Sequence, residues 1–217
     1  MTAPAFSFNP YVQTSAAGMF VIESDGFIVG TAMPDPAARF ALSGGILATS
    51  ETLPMFGGLA ISENVPQERP PVTRSDISLG GLITRGTVAA AAGTTGAITG
   101  FSVFDQNYAA VNTPQSPVPV VGSGGLVNFY RLGSLARVAL AADPALAAAV
   151  ETGTTPITVP LYWDATNLRV TATVGTNLLI PVKLLSVKGA GCMLPVYTAA
   201  TGFVTWNYNG AAALCLL

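Results

Sequence analysis

The sequence predicts an all-β protein: a β-barrel or β-sandwich with long loops, an extended N-terminal arm and one short helix. Three observations point there. Apolar and β-branched residues come in short runs, and the 23 glycines and 16 prolines of this 217-residue chain cut those runs every few positions. The stretch 157–208 shows the pattern best: within it, Leu168, Val170, Ala172 and Val174 alternate with Arg169, Thr171 and Thr173, the period of a half-buried strand. Only residues 143–151 carry a full set of helix signals. Many short strands separated by Gly and Pro turns are the mark of a sandwich or barrel.

Taken in order, residues 1–18 form the arm. Phe6, Phe8 and Tyr11 alternate with breakers such as Pro4 and Pro10, and little in the segment can pack locally. Such an arm either frays or lies on a neighbour. Residues 19–22 and 27–31 flank Ser24-Asp25-Gly26; Asp-Gly between apolar runs predicts a hairpin. Asp35 and Pro36 are placed to start one helical turn over 36–42. The glycine pairs Gly44-Gly45 and Gly57-Gly58 predict bulges or close backbone approach; no Lys and Ser/Thr follow them as a phosphate loop requires. Residues 62–75 hold the densest charge and three prolines and read as an exposed loop. Organisation therefore reads as an arm over 1–18, a β-rich part over 19–75 and a main β domain over 76–217.

In the second half, 77–84 and 98–105 read as strands. Residues 106–125 read as a long Pro/Ser/Gly-rich excursion carrying Pro114, Pro117 and Pro119, and loops of that length are commonly functional. Strands are expected at 126–130 and 135–140. Asp143 caps the helix, Pro144 takes its first position and Gly153 stops it. Strands follow at 161–164 and 168–174, then a hairpin over 197–208 around a Thr-Gly turn, and 211–217 closes the chain as a buried strand.

Composition narrows the function. Charged residues make up 9% of the chain and apolar residues 50%, against roughly 25% charged in an ordinary domain. A surface so poor in charge is best explained by cover from neighbouring molecules. Nine basic residues are scattered singly and only Lys183 and Lys188 are lysines; nucleic-acid binding needs a basic patch. The first twenty residues have no basic n-region and no long apolar stretch, so they are not read as an export signal. No apolar run reaches the length of a membrane helix, and the prolines argue against a membrane barrel.

Catalytic chemistry finds few candidates. The chain has no histidine, which removes His-based triads, zinc sites and imidazole acid–base work. Asp105 and Asp164 both end apparent strands and are the one carboxylate pair worth naming, but an Asp in that place is usually a turn residue. Residues 164–167 lack the regular ligand pattern of a calcium loop. Tyr162, Trp163, Trp206 and Tyr208 form either a sugar-stacking platform or, as strand aromatics more often do, core and interface. Cys192 and Cys215 read as two buried thiols, with a bridge between them left open. No metal or other cofactor is implied.

The segments VNFYR (127–131), GSLARVAL (133–140) and VPLYWDATNLRV (159–170) resemble the structural cement, or capsid decoration, proteins of tailed bacteriophages. The likeness spans roughly the C-terminal two-thirds and departs in the helix and connector 143–157, longer than the family's usual link into the YWD strand. The resemblance implies a non-enzymatic virion protein, made in the host cytoplasm and placed on the outer surface of the head. It further implies a homotrimer whose partner is the major capsid protein, clamping adjacent subunits against internal DNA pressure, with no direct contact to nucleic acid or membrane. The candidate contacts are Phe6, Phe8 and Tyr11 in the arm and Pro114, Pro117 and Pro119 in the excursion. The alternatives are a tail- or fibre-associated virion component and a carbohydrate-binding β-sandwich.

Overall fold

The computed structural model describes residues 13–14, 20–21, 26–33, 38, 40–64, 82–85, 98–104, 111–113 and 116–217. Of the described residues 52% are strand; among them lie a closed five-stranded barrel and one helix long enough to name. Strands β1 (Gln13–Thr14) and β2 (Phe20–Val21) pair with each other. The barrel is built from β3 (Leu42–Leu47), β4 (Ala60–Asn64), β5 (Leu82–Arg85), β6 (Gly100–Ser102) and β9 (Leu126–Arg131), in the order β3-β5-β4-β6-β9. Five strands cannot alternate direction all the way round a closed ring, so one neighbouring pair must be parallel. That pair is β3 and β5, joined at Ile46↔Leu82 and Leu47↔Ile83. The other four contacts are antiparallel, including β3 with β9, which closes the ring. The barrel takes strands from both sides of residue 75.

Two cores share the wall of this barrel. Leu47, Ile61, Ile83, Val127 and Phe129 fill its inside together with Met55 and Leu59. Ala60 and Tyr130, next to Ile61 and Phe129 along the same strands, and Phe101 of β6 belong to the second core outside. A strand buried on both faces loses its simple polar alternation, which explains why VNFYR reads as near-continuous apolar sequence.

The second core is covered by two small sheets and the helix. One sheet orders β10 (Arg137–Ala141), β15 (Phe203–Leu216) and β14 (Lys183–Thr198). The other orders β12 (Arg169–Thr171), β11 (Leu161–Asp164) and β13 (Leu178–Ile180). Trp163 of β11 is buried with its ring edge-on to Phe101, centroids 5.4 Å apart, so this aromatic pair joins the small sheet to the barrel. Helix α1 (Pro144–Glu151) starts where expected: the Asp143 side chain accepts the N–H of Ala145, and Pro144 follows. It buries Leu146 and Ala147, and its last carboxylate, Glu151, accepts the Gly189 N–H at 2.8 Å.

Several expectations shift. The excursion over 106–125 contains two paired strands, β7 (Val111–Thr113) and β8 (Ser116–Val120). Val118 and Val121 are buried in the barrel core, so this stretch is not one long free loop. The prolines between the valines masked the strand; Pro is compatible with a short, weakly paired strand of this kind. Residues 27–33 are held by β14 and β10: Val29 N–H donates to Met193 O, and Gly30 N–H to Ala139 O. The Asp-Gly hairpin is therefore not their framework, and β2 pairs with β1. The strand expected from 135 begins at Arg137, because Leu135 lies in the left-handed region at φ 60°. The strand expected over 168–174 shortens to Arg169–Thr171, with Leu168 also left-handed at φ 54°. Ser62, expected in an exposed loop, is buried within β4. Residues 34–37, with Asp35 and Pro36, lie outside the described residues.

Gly57-Gly58 shows the close approach expected of it. A Cβ on Gly57 would lie 2.6 Å from the Phe104 ring, and one on Gly58 would lie 2.6 Å from Val29 Cγ1. Cys192 and Cys215 are both buried and both free; burial pushes the Cys215 thiol up to about 12.

Candidate interaction surface

The long β14–β15 hairpin has two halves with different surroundings. Its base, from Lys183↔Leu216 to Lys188↔Ala212, is packed into the second core. A bulge follows between Lys188 and Cys192, where Gly191 takes φ 76°, a conformation open to glycine at little cost. The distal half then runs from Leu194↔Asn207 to Thr198↔Phe203. The tip turn is closed by Gly202 N–H donating to Thr198 O at 2.9 Å.

Side chains paired across the strands share a face. Tyr197↔Val204 and Pro195↔Trp206 face the barrel: Val204 is buried, Tyr197 and Trp206 pack around it, and Trp206 meets Phe104 at 5.8 Å. The opposite face presents Val196↔Thr205 and Thr198↔Phe203. Val196 and Phe203 are each 40% exposed. No residue from 189 to 217 is charged. Single exposed apolar residues are ordinary; here Val196 and Phe203 are neighbours on the distal half of the hairpin, which carries no charged residue.

Beside this hairpin lies a cleft of about 190 Å³. Val29, Leu59, Leu168, Leu194, Val196 and Tyr197 are among its walls, and no charged residue lines it. Leu168 owes its place to Asp164. The Asp164 carboxylate accepts the N–H groups of Thr166 and Asn167, both at 3.0 Å, and the Asn167 amide at 2.6 Å, and this turn delivers Leu168 in its left-handed conformation. Burial alone would raise the Asp164 carboxyl; the Asn167 amide, the two backbone N–H groups and the nearby Arg169 outweigh it and hold it below the usual carboxylate range.

Comparison of the chain with protein-family models, with curated proteins and with solved structures finds no match. The geometry therefore carries the reading of the surface.

Among the described residues several charges are tied to one another away from the distal half of the hairpin. Arg131 donates twice to Glu63, both at 2.8 Å, and once to Ser43 Oγ at 2.8 Å, over the Phe129 ring. Arg169 lies 3.5 Å from Asp143 and 3.8 Å from Asp164. Arg85 is buried at the barrel end, where its Nη2 donates to the Pro54 carbonyl; burial lowers its pKa from the ordinary value, against the pull of Glu51. Among the described residues no group of three or more His, Cys, Asp or Glu could hold a metal ion.

The Arg131 hydrogen bond, helped by its charge and opposed by burial, holds Glu63 below its usual pKa. A carboxylate lowered by folding stabilises the native state at pH above its unfolded value, and that contribution is lost as pH falls through the folded value. Arg131 is 52% exposed, so the pair is worth no more than about 1 kcal/mol. We expect Glu63→Gln to lower the urea midpoint at pH 7 and to match wild type below both pKa values. An equal gap at both pH values would rule the linkage out.

The residues singled out from sequence fall unevenly. Phe6, Phe8, Tyr11, Pro114 and Asp105 lie outside the described residues. Pro117 and Pro119 fall in β8, with Pro119 half-buried. The four aromatics do not form one platform: Trp163 is inside the core, Trp206 packs on Phe104, and Tyr208 is exposed. Asp164 serves its turn. Val196 and Phe203 went unnoticed in the sequence, although the loss of charge after Lys188 was there to be read.

Proposed function

We propose that this chain is a cement, or decoration, protein of a tailed-bacteriophage head. It sits on the outer surface and clamps adjacent major capsid protein subunits. The resemblance of the VNFYR and LYWDATNLRV segments supports the reading, and both lie on central elements, β9 and the β11–β12 pair. The observation that carries it is the uncharged outer face of the distal half of the β14–β15 hairpin, with Val196 and Phe203 open above a packed base. A partner that buries such a face gains the apolar contribution without stripping water from a charge. Many weak copies on a fixed lattice then act together. A homotrimer with the hairpin turned to the shell suits this arrangement.

The test is stoichiometry. In particles purified from the source, the chain should be present in copy numbers comparable to the most abundant shell protein. A handful of copies per particle would move it to the tail or fibre, and absence would overturn the proposal. The paired substitution Val196→Asp with Phe203→Asp changes only half-exposed side chains, so stability should shift by about 1 kcal/mol or less. Occupancy on particles stripped of the protein and re-decorated should fall at least about tenfold, the equivalent of 1.4 kcal/mol per site.

A further inference from the structure

We infer that the cleft beside the hairpin is a socket for one aromatic side chain, and that its occupant is the chain's own N-terminal segment, residues 1–12. The inference concerns this chain alone and stands apart from the capsid reading.

The socket's size sets the class of occupant. At about 190 Å³ it is smaller than the roughly 300–1,000 Å³ typical of small-molecule sites. It matches a single large side chain. Its chemistry narrows the choice. Its polar side chains come from Thr166, Asn167 and Tyr197, and no charged residue lines it. A charged or strongly polar group entering there would lose hydration without a compensating partner, whereas a Phe or Tyr ring would bury its apolar surface against Val29, Leu59, Leu168 and Leu194. The wall is also built with some effort. Leu168 stands at φ 54°, where a non-glycine residue is uncommon, and three hydrogen bonds to Asp164 keep the turn there.

The chain supplies a matching occupant. No residue before Glu23 is charged, and Phe6, Phe8 and Tyr11 are spaced along the first twelve positions; these positions lie outside the described residues. The root of this segment enters at the socket's edge. Gly26 lies against Gly191, and Val29, three residues on, is part of the wall. Three residues span at most about 11 Å, and residues 6–13 and 21–26, joined across the β1–β2 pair, together reach up to about 45 Å. The tether can therefore serve its own socket or that of a neighbouring copy. In either case it raises the effective concentration of the aromatic group there.

The experiment uses the full chain. The photoreactive analogue p-benzoylphenylalanine replaces Phe6, Phe8 and Tyr11 in turn, and adducts are mapped by mass spectrometry after irradiation. At least one position should label Leu168, Leu194 or Val196. Val196→Trp at the rim narrows the mouth and should cut that labelling at least about tenfold while far-ultraviolet circular dichroism stays unchanged. Equal mixtures of heavy- and light-isotope chains separate the two sources: heavy–light adducts mean a neighbouring copy, and adducts within one isotope class mean the chain's own socket. Labelling spread over other surfaces, no labelling, or labelling indifferent to Val196→Trp would overturn the inference. Absence of shell binding by the full chain, with socket labelling intact, would count against the capsid proposal alone.

Discussion

Trp163→Ala should destabilise the protein by about 3–5 kcal/mol, the range for deleting a large aromatic side chain from a packed core. Trp163 is fully buried and meets Phe101 edge-on at 5.4 Å. Its neighbours in the same core come from separate elements: Leu161 and Val170 from β11 and β12, Ile180 from β13, Leu146 from the helix and Leu140 from β10. Removing the indole leaves a cavity at the junction of the small sheet, the helix and the barrel wall, where relaxation of one element pulls on the others. Urea unfolding followed by circular dichroism measures the effect. Trp163→Phe should recover much of the loss, because a ring can still face Phe101. A loss under about 1 kcal/mol for the alanine variant would mean that this junction is not a main support of the fold.

Gly100→Ala should be at least as damaging for its size, costing about 3 kcal/mol or more. Gly100 sits in the barrel wall, paired with Ile61 on one side and Arg131 on the other. A Cβ there would stand 2.2 Å from the Tyr130 carbonyl oxygen and 3.1 Å from Arg131 Cα. These are backbone atoms, so no rotamer change relieves the clash, and β6 must move away from β9. Overpacking of this kind commonly costs about 1–3 kcal/mol, and opening a closed ring adds the ladder hydrogen bonds lost on both sides. Gly122→Ala is the matched control: nothing lies within 4 Å of its Cβ, and its effect should stay within about 0.5 kcal/mol. Equal unfolding midpoints for the two variants would show that the barrel tolerates separation at this seam.

Much of the local structure was legible. Asp143-Pro144 followed by Ala-rich sequence and Gly153 describes the helix, because capping and stopping depend on residues within one or two turns. LYWD and the Thr-Gly turn between Thr198 and Phe203 were readable for the same reason. The candidate surface was half-legible. The scarcity of charge pointed to a surface poor in charge, but which face stays open depends on Tyr197 and Trp206 finding the barrel wall while Val196 and Phe203 turn away. A period of two tells that the faces differ, not what each will meet.

Local sequence is enough to establish that this is a β protein, where the helix 144–151 starts and stops, where the last hairpin turns, and that the chain carries few charges. Those properties rest on periodicity, turn chemistry and composition, each contained in a few adjacent residues or in a simple count. Only packing of the whole chain settles that β3 lies parallel to β5, that residues 27–33 join β10 and β14, that Val118, between the two prolines of β8, enters the barrel core, and that Leu168 is held against its own backbone preference. Each of these depends on partners remote in sequence, such as Ile46 with Leu82 or Ile28 with Met193. Strand edges offer the same backbone hydrogen bonds to any neighbour. The choice among neighbours is made by which apolar faces can be buried together, and that is settled only when the whole chain has packed.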